Sequence, residues 1–357
     1  MKIAIATPVM IPVPPLKYGG IEQIVYELAL GLSERGHALT VFCCGGSTIA
    51  GANIERAATS PYPTQGREKE NRAWEIAQFE TVLKRQSEFD IIHFNYEPIV
   101  FRGARRGKQV NLFNFLKKPA ACTFHNITTI PEHIAYYRSM PSLYSHTMIF
   151  VSENQRSYVP FFPNSRVIYN AIPLERFPVE EHKENYLFFL GRITPTKGIL
   201  EAIAVAKKTN IQLVIAAKID PVDQTFYESQ VEPLIDGALI RYIGEAGFSE
   251  KIEYLKKARC LLFPVLWEEP FGLVMLEAMA CGTPVVAFRR GSVSEIVQNG
   301  VNGYIVDTVD EMADAVYACA SISPRLCRET VESRFTIKHM VDEYENTFKK
   351  IAKTGAK

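Results

Sequence analysis

The chain has 357 residues, 47% of them hydrophobic and 22% charged, with a formal net charge of +1 at pH 7. That length holds two domains of ordinary size, and so large an apolar share excludes a disordered chain. The near-neutral balance argues against general nucleic-acid binding. The longest apolar runs, such as residues 186–190 and 260–266, are too short to cross a bilayer, and the seven cysteines, odd in number and without a Cys-x-x-Cys pair, read as reduced thiols of a cytosolic protein rather than as a disulfide framework or zinc site.

The first strand is predicted over residues 3–9, directly behind Met1-Lys2. Pro8, Pro12, Pro14 and Pro15 interrupt the apolar region, so a cleaved leader is not expected. Gly19-Gly20 follows. Ile21, Ile24, Val25, Leu28, Ala29 and Leu32 then trace one helical face that ends at Gly36. This is a Rossmann-like strand, glycine loop and helix, without Gly-x-Gly-x-x-Gly, so a dinucleotide fingerprint is not supported. Paired glycines admit a phosphate or sugar close to the backbone, and they serve a plain turn equally well.

A second strand is predicted over 39–43, loop over 44–65, a helix over 71–85, and strands over 90–94, 120–124 and 148–152. The strand over 120–124 ends in His125-Asn126, at a sheet's carboxyl edge. A histidine there binds a hydroxyl, carries a proton or is merely structural. Between them runs a basic stretch, Arg102, Arg105, Arg106, Lys108, Lys117 and Lys118, with no acid among them and with Phe101, Leu112, Phe113, Phe115 and Leu116 interleaved. It suits contact with anionic lipid or a phosphorylated acceptor, or a solvated loop over core aromatics. Residues 167–173 close the first domain, and the proline- and charge-rich stretch 173–184 reads as a linker.

The second domain begins with a strand over 186–190. Gly191-Arg192-Ile193-Thr194-Pro195-Thr196-Lys197-Gly198 follows, putting two cations on a strand-to-helix turn, a place that attracts phosphate. Strands are predicted over 211–216, 239–243 and 260–263, with helices over 224–235 and 249–258. Tyr242-Ile243-Gly244 fits beside a nucleobase or in a core strand. Next comes Glu269-Pro-Phe-Gly-Leu-Val-Met-Leu-Glu277, read as a loop entering a helix near Gly272, stopped by Gly282 and Pro284 before the strand 285–288. Free N–H groups near Gly272 and Leu273, beside Phe271, would attract phosphate. A carboxylate on each side, Glu269 and Glu277, would accept hydroxyl hydrogen bonds. Phosphate flanked by hydroxyls describes a nucleotide sugar, although on spacing alone both glutamates read equally as solvated charges. A strand over 304–306 and helices over 309–320, 324–333 and 336–352 complete the chain. Alternating strands and helices imply parallel sheets.

Glu269, seven residues, Glu277, inside Glu-Pro-Phe-Gly-Leu…Glu-Ala-Met-Ala-Cys-Gly-Thr-Pro-Val-Val, resembles the motif of retaining glycosyltransferases of family 4 (group 1), which include phosphatidylinositol mannosyltransferases and bacterial sucrose and glycogen synthases. Gly191-Arg192, four residues, Lys197-Gly198 matches that family's diphosphate-binding signature. Thr123-Phe124-His125 sits where the family has an active-site histidine, and Gly19-Gly20 where a glycine pair borders the donor phosphates. Two departures stand out. Pro264-Val265-Leu266-Trp267-Glu268 replaces the Pro-Ser common before the first glutamate, and Asn170-Ala171-Ile172 replaces a usual Asn-Gly-Val-Asp junction.

The resemblance covers nearly the whole chain and implies an α/β protein of GT-B type. Two Rossmann-like domains with parallel sheets would face an interdomain cleft: 1–172 for the acceptor, 173–335 for the nucleotide sugar. A last helix within 336–357 would pack back on the first. It implies His125, Arg192, Lys197 and Glu269 as catalytic groups. Gly19, Gly20, Arg192, Lys197, Glu269, Phe271, Gly272, Leu273 and Glu277 would bind the donor. Arg192 and Lys197 would replace a divalent metal, so neither metal nor cofactor is expected. The expected partners are a nucleotide-diphosphate sugar, with UDP ahead of GDP, and an unidentified glycan, lipid-linked or small-molecule acceptor. The expected location is cytoplasmic, with peripheral contact at the inner face of the membrane through 101–118. Three alternatives are an epimerase of the same fold, a phosphorylase, disfavoured by the lack of a pyridoxal-phosphate lysine signature, and a non-catalytic sugar-nucleotide binder.

Overall fold

A computed structural model describes residues 1–16, 19–58, 68–105, 108–126 and 128–354. It forms two compact units, Met1–Asn170 with Ile337–Lys357, and Ala171–Thr336.

In the first unit the strands are β1 (Lys2–Ala6), β2 (Ala38–Cys44), β3 (Ala52–Ala58), β4 (Ile91–Phe94), β5 (Arg102–Arg105), β6 (Lys108–Asn111), β7 (Ala120–Phe124), β8 (Thr147–Phe150) and β9 (Ser165–Val167). Seven form one sheet in the order β3-β2-β1-β4-β7-β8-β9, with every pairing parallel; β5 and β6 make a separate antiparallel hairpin. The central strands β4 and β7 are buried along their whole length, as strands covered on both faces must be. β3 is a correction to the expected loop over 44–65. Among the described residues it is an edge strand, paired with β2 alone, and its sequence Ala-Asn-Ile-Glu-Arg carries no apolar run because so little of it faces a core.

Phe79, Phe94, Phe101 and Phe113 pack with ring centroids 4.3–5.7 Å apart. Two aromatics of the basic stretch are thus consumed by the core, while Phe115 is exposed. The helix Ile337–Thr354 seals the sheet's other side. Met340, Val341, Tyr344 and Phe348 are buried, each apolar side chain contributing about 1.5–3 kcal/mol over exposure. A Cβ on Gly31 of the helix Gly20–Glu34 would lie 2.7 Å from Val341, so only glycine allows this approach. Arg35 pairs with Asp342 (2.7 Å) and Glu345 (2.9 Å) beside it.

The second unit holds β10 (Tyr186–Arg192), β11 (Gln212–Lys218), β12 (Ile240–Tyr242), β13 (Cys260–Phe263), β14 (Val285–Phe288) and β15 (Gly303–Val306), all parallel in the order β12-β11-β10-β13-β14-β15. The single helix expected over 224–235 is instead an α-turn, a π-turn over Tyr227–Val231 and a 3₁₀ turn at Glu232–Leu234. Pro233, with no N–H to donate, sits where the helix would continue.

The stretch 173–184 is not a loose linker. Arg328 donates to the carbonyls of Phe177, Ala280 and Leu174. Lys183 Nζ donates to the carbonyls of Lys256 (2.7 Å) and Cys281 (3.1 Å) and to Thr283 Oγ1 (3.1 Å), and burial lowers its pKa to about 8. Both cations thus tie the stretch to the C-terminal end of the helix Leu273–Ala280. That helix closes in a Schellman motif, Thr283 N–H bonding the Ala278 carbonyl and Gly282 N–H the Met279 carbonyl, with Gly282 at φ 78°.

In each sheet the strand order reverses once, between β1 and β4 and between β10 and β13. Loops leaving the carboxyl ends of such strand pairs are where open α/β sheets bind ligands.

Candidate active site

In the second unit the reversal gathers the two motifs. Arg192 ends β10 and Lys197 ends the turn after it; Glu269 follows β13. The two loops lie backbone against backbone. Gly198 takes a left-handed φ of 74°, and a Cβ there would stand 1.8 Å from the Pro264 carbonyl oxygen. Leu266 N–H donates to the Thr196 carbonyl at 2.9 Å. Across this seam Lys197 Nζ meets Glu269 Oε2 at 2.5 Å, with both side chains mostly buried. The Trp267 indole N–H donates to the same oxygen at 2.8 Å, and Lys197 Nζ lies 4.9 Å from the indole centroid. Behind Glu269, its carbonyl accepts from Ser292 N–H (3.0 Å), and Glu268 accepts from Gly291 N–H (2.8 Å).

Arg192 is also paired, to Asp220 at 3.1 Å, and Lys218 reaches the other oxygen of that carboxylate at 2.7 Å. Burial works to raise the Asp220 pKa, but the Lys218 and Arg192 bonds outweigh it and hold it below its ordinary value. The helix Leu273–Ala280 starts after Gly272, so the N–H groups of its first turn have no carbonyl within the helix to meet. Glu277 lies further along that helix, and Lys251, from the helix Phe248–Lys257, reaches it at 2.7 Å. Phe271 is buried and its carbonyl accepts from Ser292 Oγ at 2.6 Å, which fixes the loop ahead of the helix.

In the first unit, Gly19 stands before the helix Gly20–Glu34. A Cβ on Gly19 would sit 2.6 Å from that of Pro15 and 3.0 Å from Glu22 Oε2. Burial raises the Glu22 pKa to about 7. His125 follows β7 and is fastened from two sides. Its backbone N–H and that of Asn126 donate to the buried Glu97 carboxylate, both at 2.9 Å, and its Nε2 lies 3.1 Å from Asn95 Oδ1. The Asn95 amide nitrogen points to the Ala6 carbonyl at 3.3 Å, which turns Oδ1 toward the ring. Nε2 therefore carries the proton and Nδ1 is left as an acceptor. Part of the His125 surface is open to solvent, yet the protein packed around the ring lowers its pKa to about 4, so it is neutral at pH 7. Beneath it, His93 Nε2 bonds Thr123 Oγ1 (2.7 Å), which meets Tyr344 Oη of the last helix (3.1 Å).

Of the residues expected at a site, Arg192, Lys197, Glu269, Phe271, Gly272, Leu273 and Glu277 lie in the second unit, on the loops and helix after β10 and β13, and Gly19, Gly20 and His125 lie in the first, after β1 and β7. The ion-pair partners Asp220 and Lys251, the clamps Asn95 and Glu97, and the role of Trp267 escaped sequence reasoning. Trp267 and Asp220 were within reach of it, Trp267 by its two-residue offset from Glu269 and Asp220 by its place at the carboxyl end of β10's neighbour β11. Lys251 carried no such signal. Of the basic stretch, Arg102 and Lys117 are exposed; Arg106 and the side chains of Arg105 and Lys108 lie outside the described residues. No described helix is long and apolar enough to cross a membrane. Among the described residues no group of three or more His, Cys, Asp or Glu side chains is placed to hold a metal ion.

Two Rossmann-like units, one with the cations Arg192 and Lys197 at its strand reversal, define a glycosyltransferase of the GT-B class. A family model for "Glycosyltransferase Family 4" matches residues 18–176 and one for "Glycosyl transferases group 1" matches 172–322, and the chain belongs to these glycosyltransferases. It is 27% identical over 347 residues to an uncharacterized glycosyltransferase of Methanocaldococcus jannaschii, covering 85% of this chain and 84% of that protein. Among solved structures it is similar to a sucrose-phosphate synthase from Thermosynechococcus elongatus (TM-score 0.80, 18% identity, 98% of both chains). It is also similar to Anabaena HepE in complex with UDP-glucose (TM-score 0.73, 18% identity, 98% of this chain and 100% of that one).

Proposed function

We propose that the protein moves a sugar, with retention of anomeric configuration, from a nucleoside-diphosphate sugar to an acceptor hydroxyl, without a metal ion, in bacterial glycan, lipid or polysaccharide synthesis. The observation that carries this reading is the convergence of Arg192, Lys197, Glu269 and the start of the helix Leu273–Ala280 on one strand reversal. A diphosphate arriving there competes for cations held by Asp220 and Glu269, and the helix N-terminus adds a further attraction. As the sugar–phosphate bond breaks, charge grows on the leaving diphosphate, and preorganised cations stabilise that state. The leaving phosphate oxygen takes the acceptor proton in a front-face reaction through an oxocarbenium-like ion. No covalent nucleophile is assigned.

Glu277 holds the ribose hydroxyls, and Glu269 faces the transferred sugar. Neutral His125, with Nδ1 as acceptor, receives a hydrogen bond from a sugar hydroxyl; a pKa near 4 suits that role better than general base at pH 7. UDP is the first choice of nucleotide and GDP the second, supported by the UDP-glucose complex of the similar HepE.

The test is a panel of UDP- and GDP-sugars, with nucleotide release followed with and without acceptors and with and without EDTA. Acceptor-dependent release that survives EDTA is expected. Conversion of the donor to an epimeric sugar without acceptor points to the epimerase reading, binding without release or conversion to the non-catalytic one, and EDTA inactivation restored by Mn²⁺ or Mg²⁺ removes the metal-free mechanism.

A further inference from the structure

Glu269 Oε2 accepts two hydrogen bonds of different kinds, from the Lys197 ammonium at 2.5 Å and from the Trp267 indole at 2.8 Å. Lys197 has a second use in the proposed reaction, the donor diphosphate, and whatever it gives to phosphate it takes from Glu269. The indole has no such second use. Trp267 rises from a loop braced at Leu266 N–H by the Thr196 carbonyl, and its face lies under Lys197 Nζ at 4.9 Å. The same side chain therefore holds the carboxylate and offers the ammonium a polarisable surface over which to shift.

We infer that Trp267 is a positioning residue. Its N–H keeps Glu269 aimed at the sugar after donor binding draws Lys197 toward the diphosphate, so the two catalytic charges need not remain bonded to each other during transfer. This rests on the transferase reading above and deepens it. It also gives a role to Trp267 within the stretch 264–268, where this chain departs from the resembled motif.

The experiment uses Trp267→Phe, which keeps an aromatic face for Lys197 and removes only the N–H, and Trp267→His, which keeps a ring N–H. Both are assayed in the full chain with whichever of UDP-glucose, UDP-N-acetylglucosamine and GDP-mannose the wild type turns over, alongside Tm. Losing a hydrogen bond to a charged group is expected to lower kcat about 10- to 100-fold in Trp267→Phe, with donor KM changed less than about 3-fold and Tm near wild type. Trp267→His is expected to recover part of the loss. In a Trp74→Phe background, Trp267 is the sole tryptophan. Adding UDP or GDP, whichever belongs to the active donor, should shift its emission as Lys197 leaves the ring. Unchanged kcat in Trp267→Phe, or equal losses in kcat and donor affinity, overturns the inference while leaving the transferase reading standing. A wild type that turns over no nucleotide sugar overturns that reading and this inference with it.

Discussion

The two strand reversals occupy the same topological position in their sheets, and the groups around them are handled in opposite ways. Around the second unit's reversal, opposite charges meet in pairs: Lys197 with Glu269, Arg192 with Asp220, and Lys251 with Glu277, all at 2.5–3.1 Å. In and around the first unit's reversal, burial shifts ionisable groups toward their neutral forms: His125 has its pKa lowered to about 4 and His93 to about 3, while Glu22 is raised to about 7. A paired cation exchanges its carboxylate for a phosphate at modest cost, because the charge is compensated before and after. A neutral imidazole or carboxylic acid recognises hydroxyls without attracting counter-ions. The contrast teaches that one scaffold presents paired charges or neutral polar groups at its loops according to whether its titratable groups are offered partners or deprived of water.

The comparison is broken most sharply at the cations. Lys197→Ala or Arg192→Ala should lower kcat about 100- to 1,000-fold, the cost typical of removing one stabilising donor from a developing oxyanion. An effect below tenfold in steady-state turnover removes them from the reaction.

The two glutamates sharpen it next. Glu277→Gln should raise the nucleotide dissociation constant about 10- to 150-fold with little change in kcat, since ribose hydroxyls do not change during transfer. Glu269→Gln should lower kcat more than donor affinity. Calorimetric titration paired with turnover separates them, and the reverse pattern exchanges their roles. In the first unit, His125→Ala should cost about tenfold in kcat while nucleotide affinity stays within twofold, because the loss is one neutral hydrogen bond in the unit that does not carry the proposed nucleotide contacts.

The pH dependence of stability tests the burial half of the contrast. His93 and His125 have folded pKa values below 6.5, so their contribution is present above pH 6.5 and is lost as pH falls toward 4. Glu22 is raised from 4.5, so its contribution is present below pH 4.5 and is lost as pH rises through 7. With two histidines set against one glutamate, amides of β1, β4 and β7 should be best protected from hydrogen exchange near pH 6.5 and progressively less so toward pH 4. Amides of β10 and β13 should respond less over the same range. Equal response in both sheets breaks the contrast.

The smallest expected effect concerns the basic stretch. Weak sedimentation with anionic liposomes at low salt, reversed at high salt, is expected if Arg102, Lys117 and their neighbours meet a membrane. Binding equal to that for neutral liposomes, or none, leaves a solvated surface, a reading favoured by the burial of Phe101 and Phe113 in the core.

Much of this was legible in the chain itself. Buried parallel strands announce themselves as short apolar runs, and β13 and β14 were read to the residue. Glycine and proline stops are local, so the helix entering at Gly272 and leaving at Gly282 was readable, and the spacings Arg192–Lys197 and Glu269–Glu277 marked the two loops that meet at the second unit's strand reversal. The edge strand β3 was missed because a strand paired on one side needs no apolar run, and residues 173–184 passed for a linker because Lys183 and Arg328 act across long sequence separations. Only tertiary structure decided which charges meet. Lys197 and Glu269 stand 72 residues apart, Lys251 and Glu277 26. Whether a cation faces water, a carboxylate or an indole is set by how two loops cross, and whether His125 is charged is set by how much water the fold leaves around it. Neither quantity is local, and periodicity and spacing report only what is local.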